Sequence, residues 1–197
     1  MTNLIVAVIT VKTRGADRIN KIILICGKSG SGKTTITDQL EQHGLSVLQS
    51  YTTRPKRSPD ETGHTFVTSD EFAQLKDICA FGKFGGYEYG ATREQVNQSD
   101  VYVIDAQGIK YFQKTYRGIK KPVVVYVRIS PFRRLFRLLK RDGIKKGMKR
   151  WWQDIPHFFG IQSIAQYQVN NNVDSDRPAE SIMSILYGGN KTSNTKK

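Results

Sequence analysis

The chain is short of cysteine, of acidic residues and of long apolar runs. Two cysteines in 197 residues exclude a disulfide framework and fit a reducing cytosol. No stretch is apolar for long enough to cross a bilayer. Residues 4–11 are apolar, but no A-x-A-type site follows and charge returns soon after, so a signal peptide is not expected. There is no internal repeat. Acids are scarce, 17 against 31 Lys and Arg, for a net charge of +14 and a pI near 9.8. That balance is what a nucleic-acid binder shows; kinases of small nucleotides also gather cations around phosphates, though rarely with so large a surplus. The surplus lies in residues 54–57 and 133–150 and in Lys191, Lys196 and Lys197.

Against those absences stands one complete motif. Gly27-Lys28-Ser29-Gly30-Ser31-Gly32-Lys33-Thr34 is a GxxxxGK[ST] phosphate loop. Before it, Ile22-Ile23-Leu24-Ile25-Cys26 reads as a buried strand, and residues 35–43 read as a helix with Ile36 and Leu40 on one face. This strand–loop–helix order is the context the motif needs. Glycines let the backbone turn its N–H groups onto a polyphosphate, and the helix N-terminus faces the same charge. Gly27, Ser29, Gly30, Ser31, Gly32, Lys33, Thr34 and Thr35 are therefore expected to bind ATP or GTP. Lys33 reaches the terminal phosphates and the Thr34 hydroxyl ligates Mg²⁺.

The rest alternates. Residues 45–51, 101–105, 122–127 and 167–169 read as strands. Residues 109–116, 133–141, 150–166 and 178–187 read as helices, the last opened by Pro178. Alternation of this kind predicts an α/β fold with a doubly wound parallel sheet in a single domain over 1–187. Residues 52–96 are richer in Gly, Pro and charge and read as a small inserted subdomain. Residues 4–11 look like an added edge strand, and 188–197 like a solvated, disordered basic tail.

A second stretch carries phosphate-binding chemistry: Ser50-Tyr51-Thr52-Thr53-Arg54-Pro55-Lys56-Arg57. Two arginines three apart, beside hydroxyl residues, can clamp a phosphate, or can be a solvated loop. Here the chain resembles the guanylate kinase family, whose segment reads S-x-T-T-R-x-x-R. Glu61, Gly63, His64 and Phe66-Val67 stand where the family continues with an acid, Gly, Tyr and F-V. Tyr87-Glu88-Tyr89-Gly90 is similar to its Y-G-[ST] segment, and residues 104–108 to its I-D-x-Q-G. Arg137, Arg141, Arg150 and Asp154 are similar to its lid, and Val169-Asn170 to its V-x-N. The resemblance runs from about 22 to 186.

The resemblance implies a P-loop NTPase fold with a nucleoside monophosphate-binding subdomain at 52–96 and a helical lid at 142–152. It implies phosphoryl transfer from MgATP to a nucleoside monophosphate. Lys33 would hold the donor; Arg54, Arg57 and Tyr89 would hold the acceptor phosphate, with Ser50, His64 and Asp105 at the acceptor site. Arg137, Arg141 and Arg150 would close over the transferred group. Asp105 would orient Mg²⁺ through water, with Thr34 as the direct ligand. Other readings of the residues stay open: an exposed helix face for the lid arginines, a core aromatic for Tyr89, a helix cap for Asp105, packing for Trp151 and Trp152.

Three departures touch the base-reading half. The family's guanine-reading glutamate is Ala80, its Ser/Thr after Y-G is Ala91, and its tyrosine before F-V is His64 after a short deletion. Alanine cannot accept hydrogen bonds from guanine. Three functions follow: a (d)NMP kinase, with (d)GMP the leading acceptor; a kinase of the same fold acting on nucleic acid or a non-nucleotide; and a non-catalytic binding module. The first is expected, with ATP and Mg²⁺ as cofactors, a small nucleotide as partner, no membrane, and a cytoplasmic location.

Overall fold

The computed structural model describes residues 20–157, 161–172 and 176–187. The edge strand expected at 4–11 and the tail at 188–197 lie outside them. In chain order the elements are β1 Lys21–Cys26, α1 Lys33–Gln42, β2 Val47–Leu48, β3 Ser50–Thr52, β4 His64–Phe66 and α2 Ser69–Ala73. There follow β5 Ile78–Phe84, β6 Tyr87–Thr92, α3 Arg93–Gln98, β7 Val101–Val103, α4 Ala106–Thr115 and β8 Lys121–Arg128. The chain continues with α5 Pro131–His157, α6 Ile161–Ile164, β9 Tyr167–Asn170 and α7 Arg177–Tyr187.

Five strands form a parallel sheet in the order β2-β7-β1-β8-β9. β1 is central and apolar on both sides because its alternate residues enter different cores. Ile22, Leu24 and Cys26 pack with Ile109 and Phe112 of α4 and Ile161 of α6. Ile23 and Ile25 pack with Ile36 and Leu40 of α1 and with Ala179, Ile182 and Leu186 of α7. Helices thus cover both faces, which makes the fold an α/β, doubly wound P-loop NTPase.

A second sheet, β4-β3-β6-β5, is mixed: β3 pairs parallel with β4 and antiparallel with β6. β5 and β6 form a hairpin closed by Phe84 opposite Tyr87. Its two turn residues, Gly85 and Gly86, both have positive φ (62° and 85°), the backbone of a type I′ turn, which glycine adopts without steric cost.

Two regions differ from expectation. The single strand expected at 45–51 is two, β2 and β3, separated by Gln49 and paired into different sheets. Val47–Leu48 pair with β7, whereas Tyr51 and Thr52 face Gly90 and Tyr89 of β6. The helices expected at 133–141 and 150–166 have other bounds as well. α5 runs through the intervening residues and breaks at Gly143, whose φ of 73° and ψ of 172° are not helical.

Candidate active site

The phosphate loop leaves β1 at Gly27 and enters α1 at Lys33. Gly30 and Gly32 have φ of 79° and 89°, where an L side chain would be strained. Lys33 Nζ donates to the carbonyl oxygens of Gly27 (2.6 Å) and Lys28 (3.3 Å), so the ammonium lies across the loop mouth. Ser31 of the loop is fully buried, and its Oγ has no hydrogen-bond partner among the described residues.

Two side chains from distant elements fix the loop's backbone. Arg134 of α5 is buried and donates from Nε to the Ser29 carbonyl at 2.9 Å. Its guanidinium also stands over the Trp151 indole, 5.9 Å from the centroid, and reaches the Trp151 carbonyl from Nη2 at 3.4 Å. Asn171, just past β9, donates from Nδ2 to the Ser31 carbonyl at 2.7 Å. Because parallel strands all end on the loop's side of the sheet, residues following β8 and β9 arrive there together.

The second basic site is built around Glu61. Arg54 donates from Nη2 to Oε1 (2.8 Å) and from Nη1 to Oε2 (3.1 Å), while the Arg57 amide donates to Oε2 at 2.6 Å. Arg54's hydrogen bonds, with smaller help from Arg57, hold the Glu61 carboxyl down at about 2. Arg54 itself is buried, stands 5.3 Å from the Phe66 ring centroid, and keeps an Nε without a hydrogen-bond partner among the described residues. His64 lies beside it, with Nδ1 2.9 Å from Ser50 Oγ and its ring edge-on to Tyr89 at 5.7 Å. Burial, then the Arg54 charge, push His64 below the ordinary imidazole range, so the ring is neutral near pH 7.

Both sites open onto one cleft of about 920 Å³, near the top of the range of roughly 300–1,000 Å³ for ligand-binding clefts. Gly27, Ser29, Gly30, Gly32, Lys33, Thr34 and Thr35 line one end. Ser50, Arg54, Arg57, His64 and Tyr89 line the other, with Asp105, Arg137 and Arg141 between or above. Arg137 and Arg141 both belong to the half of α5 before Gly143; Arg141 forks onto Asp142 with both contacts at 2.9 Å. The Arg150 side chain lies outside the described residues. Asp105 caps α4: its Oδ1 accepts from the Gly108 amide at 2.6 Å, which leaves Oδ2 for another role.

Sequence reasoning did not single out Arg134, Asn171 or Tyr102. Tyr102 lines the cleft floor and shares a hydrogen bond with Ser50. Nothing in the basic run 133–141 distinguishes the buried Arg134 from its exposed neighbour Arg133. Ala80 and Ala91, opposite each other on β5 and β6, are fully buried in the core cluster with Cys79, Tyr102 and Ile104. No cluster of three or more metal-ligating acids, histidines or cysteines occurs among the described residues. A divalent cation here would therefore rest on few protein oxygens, which suits Mg²⁺ shared with a polyphosphate. The Thr34 hydroxyl and the second oxygen of Asp105 are hard donors of the right kind.

Comparison with known proteins agrees with this geometry. A family model described as AAA domain matches residues 23–155. The guanylate kinase of Thermotoga maritima is 33% identical over 139 residues, 64% of this chain and 66% of that protein. That of Neisseria gonorrhoeae is 40% identical over 90 residues, 42% of this chain and 43% of its own length. The chain thus spans less than two thirds of the length of the curated relatives it matches. Among solved structures, guanylate kinase from Anaplasma phagocytophilum superposes with a TM-score of 0.62 at 22% identity, covering 88% of each chain. The chain belongs to the AAA domain family, and in sequence and fold it resembles guanylate kinases.

Proposed function

We propose that this chain is a nucleoside monophosphate kinase that transfers the γ-phosphoryl group of MgATP to (d)GMP or a related nucleotide. One observation carries the reading: a phosphate loop and an arginine clamp on separate sheets line the same cleft. An NTP phosphate on the loop and a monophosphate on Arg54 and Arg57 would face each other across it. Catalysis needs little beyond alignment and charge neutralisation, since the acceptor phosphate is itself the nucleophile. Lys33 and the loop amides hold the donor. Thr34 and Asp105 would hold Mg²⁺, which lowers the charge on the transferred group. Arg54, Arg57 and Tyr89 hold the acceptor phosphate, and Ser50 and His64 bound its site. Arg137, Arg141 and Arg150 cover the reacting oxygens.

In this reading the second sheet and its helices, about 52–96, form the acceptor subdomain. The part of α5 near the Gly143 break, about 142–152, is the lid, and 1–187 act as one domain. A cytoplasmic location fits the buried free thiols of Cys26 and Cys79, which burial pushes up to about 12 and 11. No helix among the described residues is long and apolar enough to cross a membrane. A second reading keeps the fold and moves the acceptor to nucleic acid or a non-nucleotide. The alanines at 80 and 91 favour it, because they remove polar groups with which a guanine could be read.

The test is ADP release with MgATP against GMP, dGMP, AMP, CMP, UMP, dTMP and a short oligonucleotide. Turnover with GMP or dGMP that falls at least ~100-fold in Lys33→Ala is expected, as for loss of one preorganised charge-stabilising donor. Turnover with the oligonucleotide alone would establish the second reading. ATP binding without any turnover would overturn the nucleotide and nucleic-acid acceptors and leave a non-nucleotide acceptor or a binding module.

A further inference from the structure

The half of α5 before Gly143 has one face on the phosphate loop and another facing solvent. On the inner side, Arg134 holds Ser29, and Leu138 is fully buried against Gly30. On the outer side Phe132 and Phe136, one helical turn apart, are 87% and 68% exposed. They form a shallow groove with Arg133, Arg137 and Lys140. Arg133 and Lys140 have no ion-pair partner among the described residues. Past the break, Lys145, Lys146 and Lys149 are exposed, and so is Trp152 at 63%. Neither the phosphate loop nor the arginine clamp uses Phe132 or Phe136.

We propose that this face binds a single-stranded polynucleotide. Bases stack on Phe132 and Phe136 while phosphates lie along Arg133 and Lys140. The rings are about 6 Å apart along the helix axis, enough for successive bases to be splayed onto them. Charge complementarity is large, because the whole chain carries +14 and a polynucleotide is a line of negative charge. The interleaving of rings and cations selects this partner over an anionic bilayer. A membrane helix segregates its cations from a continuous apolar stripe. Here Lys140 follows the two phenyl rings in the same four-residue register and Arg133 flanks them, so any burial of the rings in lipid would drag charge with it. A single strand presents the same alternation of flat ring and anion. Because only stacking and charge are offered, binding is indifferent to base sequence.

Arg137 lines both this groove and the cleft, but the proposal uses Phe132, Phe136, Arg133 and Lys140 and does not rest on the kinase reading, so its test needs no ATP. The full chain is titrated into a fluorescein-labelled oligothymidylate of about 20 nucleotides, with fluorescence anisotropy as the readout at several salt concentrations. Wild-type affinity is expected to fall steeply with salt. The Phe132→Ala/Phe136→Ala variant is expected to bind at least ~10-fold more weakly at fixed salt, with an unchanged salt slope. The Arg133→Gln/Lys140→Gln variant is expected to lower that slope by about 1.4, two contacts' worth on a single strand. All four side chains are exposed, so thermal midpoints of both variants should match wild type. Three results overturn the proposal: no binding by wild type, binding untouched by loss of both rings, or ring-dependent binding to phosphatidylserine vesicles with none to the oligonucleotide.

Discussion

Glu61 holds Arg54 in a two-pronged ion pair, Nη2–Oε1 at 2.8 Å and Nη1–Oε2 at 3.1 Å, and takes the Arg57 amide on the same carboxylate. The clamp is therefore aimed before any ligand arrives. A fork of this kind fixes the plane of the guanidinium as well as its position.

Glu61→Gln keeps the side chain's shape and removes the charge. The acceptor KM is expected to rise ~10-fold with little change in kcat, since the loss is one of uniform binding. The variant should also change the acid limb of stability. The folded carboxyl sits at about 2, below its ordinary 4.5. Its stabilisation is thus complete above pH 4.5 and is lost as pH falls towards 2. Urea midpoints measured at steps from pH 6 to 2.5 should converge for wild type and variant at the acid end. Parallel curves would contradict the pairing.

His64 gives a second pH dependence of the same sign at higher pH. Burial and Arg54 lower it from 6.5, so protonation opposes the folded state. Its contribution is present above 6.5 and declines as pH falls through the folded value. A bound monophosphate would reverse the local balance by adding negative charge beside the ring. Calorimetric titration with the acceptor near pH 6, in buffers of different ionisation enthalpy, should show proton uptake that is absent in His64→Gln.

Much of this was legible because it is local. The apolar run, the glycines and Lys33-Thr34 follow one another in sequence, and so do Ser50, Arg54 and Arg57; each group lies on one short stretch of chain. What escaped depends on partners far along the chain. Residues 45–51 read as one strand in sequence, and periodicity cannot say that Val47–Leu48 pair with β7 while Tyr51 and Thr52 pair with β6. Arg133 and Arg134 have the same chemistry, and only the rotation of α5 on the loop buries one and exposes the other. Asn171 is one of three successive asparagines. Its reach to Ser31 follows from β9 ending beside the loop.

Arg134 ties the phosphate loop to both halves of α5, through Ser29 on one side and Trp151, beyond the Gly143 break, on the other. Arg134→Ala leaves the Ser29 carbonyl without this charged donor and the indole without its cation. A loss of ~2 kcal/mol in urea unfolding is expected, within the range for hydrogen bonds to charged groups. MgATP affinity should fall with it. Arg134→Lys keeps charge without the planar fork and should lie between. Loss of the cation alone shifts Trp emission, so acrylamide quenching in Arg134→Ala is the measurement that reports whether Trp151 has moved: greater quenching than in wild type means that the helix beyond Gly143 has come away.

Ala80 lies sealed among Cys79, Ala91, Tyr102 and Ile104. Ala80→Glu installs the carboxylate that guanylate kinases carry at the matching place, but in an apolar pocket. A cost of ~3 kcal/mol or more is expected without ligand, as for an unpaired buried charge. If guanine docks at this wall, saturating GMP should restore part of that stability and AMP none. Equal effects of GMP and AMP would separate the acceptor base from β5.

Gly32 and Asn171 are coupled through the loop. At Gly32, φ is 89° and an added Cβ would collide with the Asn171 amide nitrogen, which itself holds the Ser31 carbonyl. Gly32→Ala therefore carries backbone strain of ~1–2 kcal/mol plus the collision. Asn171→Ala costs ~1–3 kcal/mol for the unmet carbonyl but clears the space. In the double variant the strain and the lost hydrogen bond remain while the collision is gone. Its destabilisation should fall short of the sum of the two single variants by ~1 kcal/mol, within the coupling measured for touching residues. Strict additivity in urea unfolding would mean the amide yields freely. The loop would then draw its shape from Arg134 and its own glycines rather than from Asn171.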